Sequence, residues 1–435
     1  MRILAVADFY CHGASRIIEE RAASLAAAGH EVVLLAGADP GKIPLQKQAA
    51  ALSRLDAELI PWDPGDRGPL RLLALARAFR AAFGKRCAEG RFDAMLFNQP
   101  LSAWAVLGSA FSRGVPALYT FHSPWPLEWA IDKGLEVRGA RLMGAGLGQR
   151  LRFAARRWIE GQAIAGSSHV TLLSPYMRSR LLDLHPTVPS WKITMIPGGV
   201  DTTRFHPLDP SLRAERRKWL GIEPDTPLLL TVRRLVPRMG LEALIQAFRT
   251  LAREFPDLHL VIGGSGPQEE NLRAQAAAAG LEGRIRFLGY VPEGALPGLY
   301  AAADLFVLPT AQLEGFGLVT VEALACGTPV LGTPVGATPA ILQGIDSRLV
   351  ARSAGAADLA TAAAVILRMP PVALRALGAL GRRRILSLYD ARKVGASLDA
   401  LLRSLAEPLV PEDPGAGTLR RRSLDHSRQA VLSRR

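Results

Sequence analysis

Short runs of branched and aliphatic residues alternate along this chain with helix-length mixed segments. The runs fall at 3–7, 31–35, 94–98, 117–121 and 169–173, and a second series follows at 228–232, 259–262, 284–288, 304–308 and 330–332. Brief apolar runs separated by amphipathic stretches predict buried strands joined by crossover helices, the pattern of parallel α/β sheets. Two series predict two facing open sheets. Ligands bind such sheets beyond the carboxyl ends of the strands, so the site is expected in a cleft, on loops that follow strands.

The two series part at 195–205, Met-Ile-Pro-Gly-Gly-Val-Asp-Thr-Thr-Arg-Phe, where Pro197, Gly198 and Gly199 are expected to end a strand and loosen the backbone into a hinge. This puts a first domain at 1–197 and a second at 198–388. A closing helix is expected within 389–406. The remainder, 407–435, is rich in Pro, Gly and Arg and reads as a disordered basic tail outside the catalytic fold. At 435 residues the chain is long enough for two separate cores.

Composition removes several function classes. Cys11, Cys87 and Cys326 are too scattered for a disulfide framework or a metal-ligand cluster, which suits a reducing compartment. The first apolar run is too short for a signal peptide, and no stretch approaches the roughly 20 apolar residues of a membrane-crossing helix. A cytoplasmic protein is expected. The net charge is +14, and residues 420–435 supply six arginines against one acid. Such an excess attracts nucleotides, nucleic acid and anionic lipid alike.

The chemistry is concentrated in Glu314-Gly-Phe-Gly-Leu-Val-Thr-Val-Glu322-Ala-Leu-Ala-Cys-Gly327-Thr-Pro. Gly315 and Gly317 precede a helical run that Gly327 and Pro329 end. Glycines admit a ligand close to the backbone, and the free N–H groups and dipole of a helix start suit phosphate. Carboxylates beside a phosphate cradle repel the ligand unless they face hydroxyls. Glu314 and Glu322 therefore suit a sugar and a ribose diol, and the combination describes a nucleotide sugar.

This segment resembles the paired-glutamate motif of the retaining family 4 glycosyltransferases, which have the GT-B fold of two facing Rossmann-like domains. Gly29-His-Glu-Val-Val33, Ile196-Pro-Gly-Gly-Val-Asp201, Gly263-Gly-Ser-Gly-Pro267, Arg286-Phe-Leu-Gly-Tyr-Val291 and the stretch from Tyr300 to Pro309 match the same family in the same order, across nearly all of 1–400. The resemblance implies that Glu322 binds the ribose and that Glu314 lies near the transferred sugar. It further implies that the backbone of Gly315, Phe316, Gly317 and Leu318 holds sugar and phosphate, and that Arg234 meets the diphosphate. It places His122, at the end of a strand, against the donor sugar. Gly13 corresponds to the second glycine of a pair whose first member is replaced by His12, to which no role is assigned.

Two departures stand in Arg233-Arg-Leu-Val-Pro-Arg-Met-Gly240: the family usually has glycine where Arg233 stands and lysine where Met239 stands. Either Arg233 or Arg238 is expected to replace the lost cation, with Arg238 preferred for its place beside Met239. The aromatic stretch from Trp125 to Trp129 suits either an acceptor site or the core. In 146–160, Leu147, Leu151, Ala154 and Trp158 share one helical face, with Arg152 and Arg156 opposite. That face either packs on its own domain or meets an anionic membrane surface.

The expectation is thus a retaining transferase using a UDP-, GDP- or ADP-sugar, with no metal and no further cofactor. Its hydroxyl acceptor is lipid-linked or otherwise of the cell envelope, with peripheral contact at the inner membrane face as a further expectation. Retention lets the leaving phosphate take the incoming hydroxyl's proton, so no protein base is required. Rival readings are a nucleotide-sugar epimerase on the same fold and a sugar-nucleotide binding protein weakened at Met239. Nucleic-acid binding lacks any basic motif interleaved with aromatics.

Overall fold

The computed structural model describes residues 1–10, 14–38, 56–61 and 70–407. Gly13 lies outside the described residues, as does the tail from 408 onward. The first sheet contains β1 (Arg2–Tyr10), β2 (Glu31–Ala38), β3 (Asp56–Pro61), β4 (Ala94–Phe97), β5 (Ala117–Phe121), β8 (His169–Leu172) and β9 (Ile193–Met195). A small antiparallel hairpin, β6 (Val137–Arg138) and β7 (Arg141–Leu142), lies between β5 and β8 in the chain. The second sheet contains β10 (Leu228–Val232), β11 (His259–Gly263), β12 (Ile285–Gly289), β13 (Leu305–Leu308) and β14 (Val330–Gly332).

Both sheets are parallel and doubly wound, in the orders β3-β2-β1-β4-β5-β8-β9 and β12-β11-β10-β13-β14. Every residue of β4, β5, β8 and β13 is buried. Burial on both faces is why these strands read as continuous apolar runs. The strands that the apolar pattern passes over are edges. On β3, Asp56 and Glu58 pair with Arg86 at 3.0 Å each, and β9 is three residues long and partly exposed.

The closing helix Ala391–Ala406 returns to the first domain. Val394, Leu398, Leu401 and Leu402 join its core, and Asp399 accepts from buried His30 at 2.6 Å. The chain therefore crosses between domains twice, and the two crossings pair: Val200 N–H donates to Tyr389 O at 2.8 Å and Ala391 N–H to Val200 O at 3.0 Å. This corrects the expected loosening at Gly198 and Gly199, neither of which has a positive φ. A Cβ on Gly198 would fall 2.7 Å from the Phe316 ring, and one on Gly199 would fall 2.9 Å from Ala391 Cα. The glycines permit close approach. Among the described residues no single helix is long and apolar enough to cross a membrane.

Candidate active site

The loop after β13 carries Glu314 and leads into the helix Leu318–Ala325. Just before it, Leu313 holds a left-handed φ of 56°, alone among the described non-glycine residues. Such a conformation costs a leucine of order 1–3 kcal/mol and persists only where the surroundings impose it. Here they do. The Leu313 side chain is buried in the core of the first domain, and its carbonyl accepts from Arg238 Nη1 at 3.1 Å. The loop of one domain is thus anchored in the other.

Glu314 accepts hydrogen bonds from Arg233 Nη2 at 2.7 Å and Thr310 Oγ1 at 3.0 Å. Burial pushes its carboxyl up, but the Arg233 charge and these two donors override that, so the group sits below the ordinary glutamate value. The pair is buried, and Arg233 Nη2 also rests on Met239 Sδ. The other terminal nitrogen, Nη1, is buried with no hydrogen-bond partner among the described residues. A buried guanidinium nitrogen left open beside a carboxylate is costly unless a further acceptor completes it.

Of the arginines expected near a diphosphate, the fold brings only Arg233 against Glu314. Arg238 sits in the turn Pro237–Met239 and faces the first domain, with Nη2 3.4 Å from Glu128 and Nε 3.6 Å from Asp132. Arg238, the preferred candidate for the missing cation, thus faces carboxylates across the cleft, while Arg233, the other candidate, is the one in contact with Glu314. Arg234 is exposed and forms no ion pair with any described residue. It is free to meet a ligand from solvent.

Gly317 has φ +85° and precedes the helix Leu318–Ala325. Among the described residues the N–H groups of Gly317, Leu318 and Val319 donate to no backbone carbonyl, so the helix start presents open donors. The side chains flanking them pack elsewhere. Phe316 is buried against Tyr389, ring centroids 5.6 Å apart, and Leu318 lies beside Gly198. Glu322 is fully buried beneath the helix start and accepts from the Tyr300 hydroxyl at 2.8 Å. It presents no surface to a ribose diol in this conformation.

Gly315 is where the domains touch. A Cβ there would lie 2.4 Å from the His122 carbonyl oxygen, and the Gly315 carbonyl accepts from Ser174 Oγ at 2.7 Å. His122 follows β5, and its Nε2 lies 3.2 Å from Asn98 Oδ1, which makes Nε2 the protonated nitrogen of a neutral ring. Burial first, and then the charge of Arg21, push its pKa down to about 3. Arg21 is buried beneath, donating to Thr120 Oγ1 at 2.6 Å. Nearby, Asp8 at the end of β1 caps the helix Pro100–Leu107 by accepting from Leu101 and Ser102 N–H, while burial raises its pKa to about 6.

Trp125 and Trp129 turn away from this surface and hold Arg156, whose guanidinium carbon lies 5.2 and 4.7 Å from their ring centroids. Of the two readings of that stretch, packing is visible in these contacts, with both rings half-buried. Asn98, Ser174, Thr310 and Tyr300 are site neighbours that motif reasoning passed over. Asn98 and Ser174, at the carboxyl ends of apolar runs, carried a positional signal, and Tyr300 opened a matched stretch without being singled out. Among the described residues no group of three or more His, Cys, Asp or Glu side chains is placed to hold a metal.

Comparison with known proteins gives this geometry its family. Residues 12–204 match the model of Glycosyltransferase Family 4, and 213–379 match that of Glycosyl transferases group 1. The chain is 31% identical over 385 residues to a D-inositol 3-phosphate glycosyltransferase of Frankia alni, covering 85% of this chain and 89% of the relative. It is 37% identical over 245 residues to a GDP-mannose-dependent alpha-(1-6)-phosphatidylinositol monomannoside mannosyltransferase of Mycolicibacterium smegmatis, covering 55% of this chain and 63% of that relative, less than two thirds of its length. Among solved structures, sucrose-phosphate synthase from Thermosynechococcus elongatus superposes with a TM-score of 0.72 at 24% identity, over 93% of this chain and 99% of the other. Anabaena HepE in complex with UDP-glucose gives 0.72 at 19% identity, over 93% and 100%. These two likenesses speak to the fold alone. The chain belongs to the family 4 glycosyltransferases, the glycosyl transferases of group 1, and has their GT-B fold.

Proposed function

We propose that this chain transfers a hexose, with retention, from a nucleoside diphosphate donor to a hydroxyl of a lipid-linked polyol. The observation that carries the proposal is the buried Arg233–Glu314 pair with one guanidinium nitrogen open, set beside the unpartnered amides of the helix start. A donor diphosphate on those amides completes Arg233, so the cation stands where negative charge grows as the nucleotide leaves. Glu314, held anionic, faces the sugar on which positive charge develops. Arg234 meets the diphosphate from the solvent side. His122 offers its unprotonated Nδ1 as an acceptor for a sugar hydroxyl.

The reaction exchanges one bond at the anomeric carbon for another on the same face. The bond to the diphosphate oxygen breaks, the bond to the acceptor oxygen forms, and the acceptor's proton passes to the departing phosphate. Glu322 keeps its proposed role with the ribose. Since it has no exposed surface, that role requires the loop ahead of the helix to yield as donor enters. Contact between Gly315 and His122 excludes water from the reacting centre.

The relatives named for inositol phosphate and for phosphatidylinositol monomannoside support an inositol-based acceptor, and the latter supports GDP-mannose as donor. The epimerase reading is dropped, because the matched families and these relatives are named for glycosyl transfer. The test is a transfer assay pairing GDP-mannose, UDP-glucose and ADP-glucose with phosphatidylinositol and free inositol phosphate. A labelled glycolipid formed from one donor supports the proposal. Nucleotide binding without transfer or hydrolysis for any pair would favour a binding protein weakened at Met239.

A further inference from the structure

A second surface, apart from the cleft, is built by the hairpin of β6 and β7 and the helix Leu147–Gly166. This helix buries Phe153, Ile159, Glu160, Ala163 and Ile164 against its own domain. The apolar stripe legible in the sequence is on another side: Leu147 is 75% exposed, Leu151 61% and Trp158 55%, with Met143 of the preceding loop at 42%. Trp158 keeps one edge on Trp104 of its own domain, ring centroids 5.8 Å apart, while Leu147, Leu151 and Met143 stand largely in the open. Contiguous exposed apolar side chains of this size mark a surface that meets something.

The charge around the stripe is predominantly positive. Residues 137–159 contain six arginines and no Asp, Glu or Lys. Arg156 is turned inward onto Trp125 and Trp129, Arg138 pairs with Glu136, and Arg157 donates to Leu184 O. Arg141, Arg150 and Arg152 are exposed and form no ion pair with any described residue. Between hairpin and helix lies a cavity of about 790 Å³, with buried Leu142 and Phe153 in its floor and Trp158, Arg141 and Arg150 at its rim. That volume falls in the range of small-molecule sites.

We propose that this face docks on an anionic phospholipid bilayer, with the cavity seating one lipid: its phosphate on the rim arginines and the first carbons of its chains against Phe153 and Trp158. Charge complementarity selects this occupant. Unpaired arginines interspersed with leucines and an edge tryptophan match an interface that is anionic outside and apolar within. A protein partner would require acidic groups facing every one of these arginines, and a nucleic acid would gain nothing from Leu147 and Leu151. The docked helix backs onto Trp125–Asp132, the helix whose Glu128 and Asp132 meet Arg238 across the cleft. Docking thus places the cleft beside the membrane surface without using any residue of the site.

The test is co-sedimentation of the full chain with phosphatidylcholine vesicles, with and without phosphatidylglycerol. Three variants are compared: Leu147→Ser with Leu151→Ser, Arg141→Gln with Arg150→Gln, and all six tail arginines of 420–435 changed to Gln. The expected result is binding at least tenfold tighter to vesicles containing phosphatidylglycerol, lost by about tenfold in each of the first two variants and retained in the third. All substituted side chains of the face are exposed, so unchanged thermal unfolding verifies the fold. Equal binding to both vesicle types, or loss only in the tail variant, would overturn the proposal. So would binding to heparin that the arginine variant loses and that the leucine variant shares with vesicle binding unchanged, since that pattern describes attraction to any polyanion. Nucleotide binding is independent of this face and is unaffected in every arm.

Discussion

Arg233 Nη2 lies 2.7 Å from Glu314 Oε2 and also rests on Met239 Sδ. The two departures from the family pattern, an arginine at 233 and a methionine at 239, are therefore in contact, and the guanidinium lies against the side chain that replaces the usual lysine. Arg233→Ala leaves Glu314 buried without its cation and removes the open Nη1 donor. Donor affinity is expected to fall roughly 10–100-fold, the worth of a charge-assisted hydrogen bond. Changing both residues, Arg233→Gly with Met239→Lys, is expected to recover most of the loss, whereas Met239→Lys alone crowds two cations and recovers nothing. Isothermal titration with the donor nucleotide decides it, and equal affinity in Arg233→Ala would remove Arg233 from the phosphate site.

Gly315 meets the His122 carbonyl so closely that a Cβ would lie 2.4 Å from the oxygen. Gly315→Ala must push the domains apart by about an ångström, and misplacement on that scale costs on the order of 100-fold in rate. Loss is expected in kcat/KM with both domains still folded by circular dichroism. A small-angle scattering profile should show the wider interdomain spacing.

Tyr300 and Glu322 separate support from binding. Tyr300→Phe removes one hydrogen bond to a fully buried carboxylate and should cost about 1–3 kcal/mol of stability. Its nucleotide affinity should stay within a few-fold of the parent. Glu322→Gln keeps the shape and should lose nucleotide affinity by about tenfold. If the two variants lose affinity equally, Glu322 shapes the helix start and has no direct hold on the ribose.

Acidification acts oppositely on Asp8 and His122. The Asp8 pKa of about 6 exceeds the ordinary 3.8, so its charged form penalises the fold above pH 6, and the penalty fades as pH falls from 6 towards 3.8. It amounts to up to about 3 kcal/mol. The His122 pKa of about 3 lies below the ordinary 6.5, so the unfolded chain takes a proton that the fold refuses, and stability falls as pH drops from 6.5 towards 3. Relative to wild type, Asp8→Asn should therefore lose unfolding temperature on going from pH 7 to pH 4, because wild type alone gains from protonation there. Parallel curves for the two proteins would place Asp8 in a solvated setting.

Much of the site was legible because its residues follow strands whose apolar runs are unmistakable. β5 delivers His122, β10 delivers Arg233, and β13 delivers the loop with Glu314. Edge strands such as β3 were not legible, since their charged residues pair laterally with Arg86 and break the apolar pattern. The helix at 147–166 was legible as a helix and as amphipathic, but amphipathicity alone does not say which side faces the protein. Here Phe153 and Ile159 face inward and the leucine stripe faces out.

By itself the sequence determined the two parallel sheets, the break between them and the glycine turn that leads into a helix between the two glutamates, because period, glycine placement and helix signals are local properties of the chain. Tertiary structure decided which arginine lies against Glu314. Arg233 and Arg238 stand five positions apart with the same charge, yet the turn Pro237–Met239 sends Arg238 to Glu128 and Asp132 while Arg233 stays with Glu314. It also decided that the hinge glycines tighten the crossing and that the closing helix belongs to the first core. Each of these depends on groups far apart in sequence, and a buried charge or a missing Cβ takes its meaning from the atoms brought against it.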